Sequence, residues 1–273
     1  MAVVVITGCS SGFGRLAAVE MARRGDVVFA SMRDLSKADG LRGDADEAGV
    51  SLEIVELDVT NRRSVDAAVS QVLAKAGRVD VVVNNAGIGL WSPVECYSDE
   101  EMGAAFETNV FGVHRVTRAV LPAMRKQRSG MIVLISSVSG FFTWPFGGVY
   151  CATKHAAEAL YDALYFELRP FGIQVVIIEP GDFATEVVKN AHITSAWTEK
   201  VSDPAYVPLA RAATRNQSAQ EDGDATVVAR LIADVAHEAR PERRYLVGDG
   251  AIRSAQRTPA ELERDMWRRV GYE

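Results

Sequence analysis

Residues 3–24, Val3-Val4-Val5-Ile6-Thr7-Gly8-Cys9-Ser10-Ser11-Gly12-Phe13-Gly14-Arg15-Leu16-Ala17-Ala18-Val19-Glu20-Met21-Ala22-Arg23-Arg24, decide the fold. The first four are β-branched and apolar without alternation, the pattern of a strand covered on both faces. A glycine turn follows, and apolar residues then recur at helical spacing to about Arg24. Glycines let a backbone approach a pyrophosphate closely, and the free amides and dipole at a helix start favour its charge. Gly8, Ser10, Ser11, Gly12, Phe13 and Gly14 are therefore candidate phosphate contacts. A turn of this shape that holds no ligand is the competing reading.

Outward from this unit the same alternation continues. Strands are expected at 27–31, 52–57, 79–83, 131–135, 173–179 and 244–247. Helices are expected at 64–76, 100–126, 150–169, 225–237 and 259–270, and residues 39–49 read as a polar connection. Alternating strands and helices build a mostly parallel sheet with helices on both faces and right-handed crossovers. Ligands of such α/β sheets lie at the carboxyl ends of the strands. From Glu186 to about Asp222 periodicity fails, and so long an irregular insertion suggests a lid over a substrate, with a plain connection as the alternative. No linker divides the 273 residues, so one domain spanning 1–273 is expected, with a helical segment at 250–273.

Composition narrows the function classes. A net charge of −6 argues against general affinity for nucleic acid or anionic lipid. Cys9, Cys96 and Cys151 are widely spaced and His114, His155, His192 and His237 show no ligand spacing, so no metal or disulfide is expected. Strand-like sequence begins at Ala2, and no apolar run approaches the ~18 residues that span a bilayer. A cytoplasmic protein is the expectation.

The chemistry is concentrated in residues 136–169, SSVSGFFTWPFGGVYCATKHAAEALYDALYFELR. Tyr150 and Lys154 are one helical turn apart, which sets an ammonium beside a phenol. A phenol near pKa ~10 is a poor acid or base at neutral pH, and a neighbouring cation favours the phenolate. Tyr150 is thus the candidate proton donor. Ser137, just past the end of an apolar strand, would be a second donor to the same carbonyl oxygen. A core tyrosine with a snorkelling lysine is the bland alternative.

Several motifs in order and spacing resemble the short-chain dehydrogenase/reductase superfamily: the GxxxGxG turn, Asn84-Asn85-Ala86-Gly87, Asn109, the Ser137, Tyr150, Lys154 set, and Pro180-Gly181 followed by Thr185. TGCSSGFG, SMRDL and VYCATKHAAEAL look closest to its 17β-hydroxysteroid and retinol dehydrogenase branch. The resemblance implies a Rossmann-type, doubly wound sheet of order 3-2-1-4-5-6-7 and hydride transfer between a nicotinamide cofactor and a carbonyl or secondary alcohol. It implies that Lys154 binds the nicotinamide ribose and that Asp58 and the amide of Val59 meet the adenine. It further implies that Asn85, Ala86 and Gly87 pack beside the cofactor, and that Pro180, Gly181 and Thr185 lie by the nicotinamide. Asn109 would mark a helix kink in a proton relay.

Cofactor and substrate follow with less constraint. The second strand ends at Met32-Arg33-Asp34, where no acid stands to bind a ribose 2′-hydroxyl and Arg33 suits a 2′-phosphate. NADP(H) is therefore favoured over NAD(H). The loop 141–148 holds Phe141, Phe142, Trp144 and Phe146, and a pocket for a bulky apolar ketone or alcohol is expected, with Ser139 and Trp144 beside Ser137 and Tyr150. A β-ketoacyl-type reductase and a non-catalytic cofactor-sensing regulator are the alternatives. Relatives pair the helices near 100–126 and 150–169 across a two-fold axis, so a homodimer or homotetramer is expected.

Overall fold

The computed structural model describes residues 1–181, 183, 206, 208–209, 223–248, 251–252 and 255–269. Seven strands form one sheet: β1 (Val3–Ile6), β2 (Val27–Met32), β3 (Glu53–Glu56), β4 (Val81–Asn84), β5 (Gly130–Ile135), β6 (Ile173–Pro180) and β7 (Arg244–Val247). Their spatial order is β3-β2-β1-β4-β5-β6-β7. Every pairing is parallel. All strand ends therefore leave the sheet on one edge, and the loops that follow them share one rim.

Among the described residues the α-helices are α1 (Gly12–Arg23), α2 (Asp39–Ala48), α3 (Arg62–Ala76), α4 (Asp99–Phe106), α5 (Val113–Gln127), α6 (Gly148–Leu168), α7 (Ala225–His237) and α8 (Pro259–Arg269). Successive strand residues point to opposite faces, and the core divides accordingly. Val4, Ile6, Met131, Val133, Val176 and Ile178 meet Ala17, Ala18, Met21, Leu41, Val228 and Ile232, so α1, α2 and α7 cover one face. Val3, Val5, Ile132, Leu134, Val175 and Ile177 meet Val65, Val69, Val116, Val120 and Tyr161, so α3, α5 and α6 cover the other. Each fully buried aliphatic side chain contributes about 1.5–3 kcal/mol.

Two expectations need correction. Residues 39–49 are no plain connection: Leu41 and Ala45, one turn apart, are buried on a helix that Gly49 ends in the left-handed conformation at φ +65°. Gly40, Gly43 and the surrounding acids hide it, since they dilute helix propensity. The single helix expected at 100–126 is interrupted by a π-helical stretch, Glu107–Gly112, with Asn109 inside it. Its N-terminus carries a capping box between Ser98 and Glu101.

Candidate active site

The rim is built first from the glycine turn. Gly8 and Gly12 adopt φ of +74° and +57°, where a side chain is strained. Gly14 needs the absence of a side chain for a different reason: a Cβ would overlap the Asn85 amide and the Gly8 carbonyl. Ser11 precedes α1 in extended backbone, its side chain makes no capping bond, and no acid occupies the first turn. Ser10 and Ser11 are half-buried beside that helix start. Positive φ, close approach and an uncapped, acid-free helix start together suit an anionic phosphate. Phe13 turns its ring edge-on to Phe183, with centroids 5.7 Å apart.

Asn85 and Ala86 brace this turn, and Gly87 lies against the Asn109 side chain. The Asn85 amide donates to the carbonyls of Thr7 at 2.9 Å and Gly8 at 3.1 Å. Thr7 is the hub that sequence reasoning missed: its Oγ1 accepts from the backbone amides of Asn85 and Ala86, each at 3.0 Å. A hydroxyl directly before the first glycine was the available signal. Asp58 accepts from the amide and hydroxyl of Thr60 at 2.9 and 2.8 Å, while Asn61 caps α3. Val59 is buried, and its carbonyl accepts from the Arg115 guanidinium. Arg33 is exposed and makes no hydrogen bond or ion pair among the described residues. Asp34 beside it is occupied with the amide and hydroxyl of Ser36 at 3.0 and 2.6 Å.

Ser137 follows β5, and Tyr150 and Lys154 lie in the first two turns of α6. Burial pushes the Tyr150 phenol up, and a hydrogen bond with Ser137 pulls it back. Lys154 donates to the Ile135 carbonyl at 2.9 Å, and its Nζ sits 5.6 Å from the Tyr150 ring centroid. Burial lowers this ammonium to about 8, with Glu158 opposing. Burial is the largest influence on both groups.

Asn109 is buried in the π-helical stretch. Its Oδ1 accepts from the Ile88 amide at 2.9 Å, and its Nδ2 donates to Ile88 O at 3.0 Å and Thr153 Oγ1 at 3.1 Å. It thereby ties the β4 loop to α6. Gly181 donates to Val247 O at 2.8 Å, and Pro180 pairs with Val247 at the end of β6. Thr185, His192 and most of the expected lid at 186–222 lie outside the described residues. His155 is exposed on α6, with Nδ1 2.9 Å from Cys151 O.

Over this rim stands an aromatic group. Trp91 stacks on Phe146 with centroids 6.3 Å apart and packs against Trp144 at 5.3 Å. Phe146 holds φ +69°, a left-handed conformation that is strained for a bulky side chain. Ser139 is buried, and its hydroxyl accepts from the Trp144 indole at 2.8 Å. That bond orients the indole within the aromatic group. Cys96, Tyr206 and Leu209 pack against the same group. Among the described residues no cluster of His, Cys, Asp and Glu has the make-up of a metal site, and the three cysteines are free. No helix among them is long and apolar enough to cross a membrane.

Residues 2–195 match the family model of the short chain dehydrogenases. Retinol dehydrogenase 8 of Bos taurus is 38% identical over 256 residues, covering 88% of this chain and 80% of that protein. The 17-beta-hydroxysteroid dehydrogenase type 1 of Mus musculus is 43% identical over 185 residues, 66% of this chain and 53% of its own length. A short-chain dehydrogenase structure from Streptomyces avermitilis superposes with a TM-score of 0.82 at 34% identity, covering 99% and 98% of the two chains. A metagenomic short-chain oxidoreductase solved with NADP gives 0.72 at 25% identity, covering 90% of this chain and 96% of its own. A relative from Burkholderia phymatum solved with NAD gives 0.79 at 25%, covering 97% and 95%.

Proposed function

The chain belongs to the short-chain dehydrogenase/reductase family, in the branch of the retinol and 17β-hydroxysteroid dehydrogenases, and from that premise we propose that it reduces a bulky apolar ketone or aldehyde with NADPH, using Tyr150 as the proton donor. The observation that carries this reading is the meeting of Ser137, Tyr150 and Lys154 on the rim that the glycine turn shares.

The nicotinamide cofactor, when bound, supplies or accepts the hydride. The first turn of α1 with Gly8, Ser10, Ser11, Gly12 and Gly14 would hold its pyrophosphate, and Asp58 and Val59 its adenine. Asn85 and Ala86 keep the turn in shape, with Gly87 beside them and Pro180, Gly181 and Thr185 beside the nicotinamide. Arg33, exposed and without a hydrogen-bonded acid, supports the phosphorylated cofactor. Tyr150 gives its proton to the carbonyl oxygen, and Ser137 donates a second hydrogen bond to the charge that develops there. Lys154 would hold the nicotinamide ribose, and it sets a cation beside the phenol as the phenol loses its proton. Asn109 completes the relay.

Trp91, Trp144 and Phe146 form the wall against which an apolar substrate packs, which supports a retinoid- or steroid-sized carbonyl. Phe111 on the π-helical stretch and Leu160 and Phe166 on α6 are exposed apolar side chains, which supports association with a second copy of the chain. A homodimer or homotetramer in the cytoplasm is the corresponding proposal. The test is NADPH consumption with all-trans-retinal, estrone and an acetoacetyl thioester. Turnover of either apolar carbonyl supports the reading; turnover of the thioester alone replaces it with a β-ketoacyl-type reductase; binding of NADPH without turnover of any carbonyl favours a sensor.

A further inference from the structure

One helical turn beyond Lys154, α6 carries Glu158, a carboxylate that the proposed chemistry does not use. It is 4% exposed. One oxygen accepts from the Ser136 hydroxyl at 2.5 Å, and the other accepts from Arg244 at 2.6 Å. Gly140 makes room for it, since a Cβ there would overlap the carboxylate. Arg244 also donates to Glu179 of β6 and to both oxygens of Asp162 at 2.9 and 3.0 Å. Ser136, whose amide donates to Ile178 O at 2.8 Å, is the chain neighbour of Ser137.

Replacing a buried ionic cluster by apolar side chains is often neutral or stabilising, so stability alone gives no reason for this one. Its place gives a reason. We infer that Glu158 is a positioning residue of the active site: through Ser136 it fixes the segment carrying Ser137 against α6, and its charge steadies the Lys154 ammonium on the same helix face. The inference rests on the roles proposed for Ser137 and Lys154.

The charged surroundings are few. On α6 they are Lys154 and Asp162, with Tyr150 and Cys151 a turn further. From β6 comes Glu179, and from β7 come Arg244 and Arg243, the latter paired with Asp162. The loop after β5 faces Glu158 with neutral serines. Burial and Glu158 raise Glu179 to about 7, with Arg244 opposing. Removing the charge of Glu158 therefore leaves Glu179 free to ionise and keep Arg244 paired, so the fold should survive. The same change removes the one group that opposes burial at Lys154, and the ammonium should lose its proton at lower pH.

Glu158→Gln keeps the size of the side chain and an oxygen for Ser136. Cofactor-free wild type and variant would be labelled with acetic anhydride across about pH 6–10 and Lys154 acetylation read by mass spectrometry. The labelling midpoint should fall by about one pH unit in the variant. An unmoved midpoint in folded Glu158→Gln overturns the charge role. Ser136→Ala tests the tie separately: it should leave the midpoint in place and lower kcat for NADPH-dependent reduction of estrone or retinal by about tenfold, with KM for NADPH within about threefold. Wild-type kcat in Ser136→Ala overturns the tie. A midpoint that moves in a protein that turns over none of the carbonyls supports the hold on Lys154 and counts against the proposed activity instead.

Discussion

Tyr150 stays protonated well past neutral pH because burial opposes its ionisation, which suits a residue that gives a proton to a carbonyl. Tyr150→Phe removes that proton and little else. Its kcat for carbonyl reduction should fall by ~10²-fold or more while the Kd for NADPH stays within a few-fold, read by steady-state kinetics and by fluorescence titration. The role proposed for Lys154 carries a pH dependence. Its folded-state pKa lies below the ordinary 10.5, at about 8, so the cation is present below that value and lost above it. Reduction by the free enzyme should therefore decline as pH rises through about 8, and Lys154→Met should flatten that limb at a low rate; a wild-type limb unchanged to pH ~10 would remove Lys154 from the mechanism. Both residues were readable as candidates because their spacing, weak by itself, came together with the glycine turn, Asn109 and Ser137 in the order of a known family. The direction of their shifts was not, because desolvation depends on what the rest of the chain stacks over them.

At the scale of elements, the β1 and β4 loops act as one unit held by Thr7 and Asn85. Asn85→Ala leaves two carbonyls of the glycine turn without their donor. The expected loss is about 1–3 kcal/mol, seen as a lower Tm, together with weaker NADPH binding. Unchanged values for both would show that the turn keeps its shape without the brace. The strands were readable as apolar β-branched runs, as was the helix that follows the first glycine turn. The second helix was not, since Gly40, Gly43 and a row of acids mask the buried pair Leu41 and Ala45. The expected kink at Asn109 has a physical form in the π-helical stretch, where the side chain bonds to Ile88 and Thr153 instead of competing for its own helix. Those partners lie 21 and 44 residues away, beyond any local pattern.

For the whole molecule, the parallel sheet and its shared rim were legible because alternation and connection rules leave few topologies, while the strand order came from the family resemblance. The acid cluster under the site was not: Arg244 and Glu158 are 86 residues apart and meet only when β7 closes the sheet edge beside α6. The exposed phenylalanines Phe111 and Phe166 bear on assembly. Sedimentation should show a dimer or tetramer, and the pair Phe111→Glu and Phe166→Glu should shift it toward monomer; a wild-type monomer at micromolar concentration would contradict the association. The claim on which the rest stands is that the rim at the glycine turn binds NADP(H). Separate titrations of NADPH and NADH against wild type and Arg33→Asp test it most directly. The expected result is tighter NADPH binding in wild type that reverses in the variant, whereas wild-type protein that binds neither nucleotide in the micromolar range would contradict the proposed chemistry at its base.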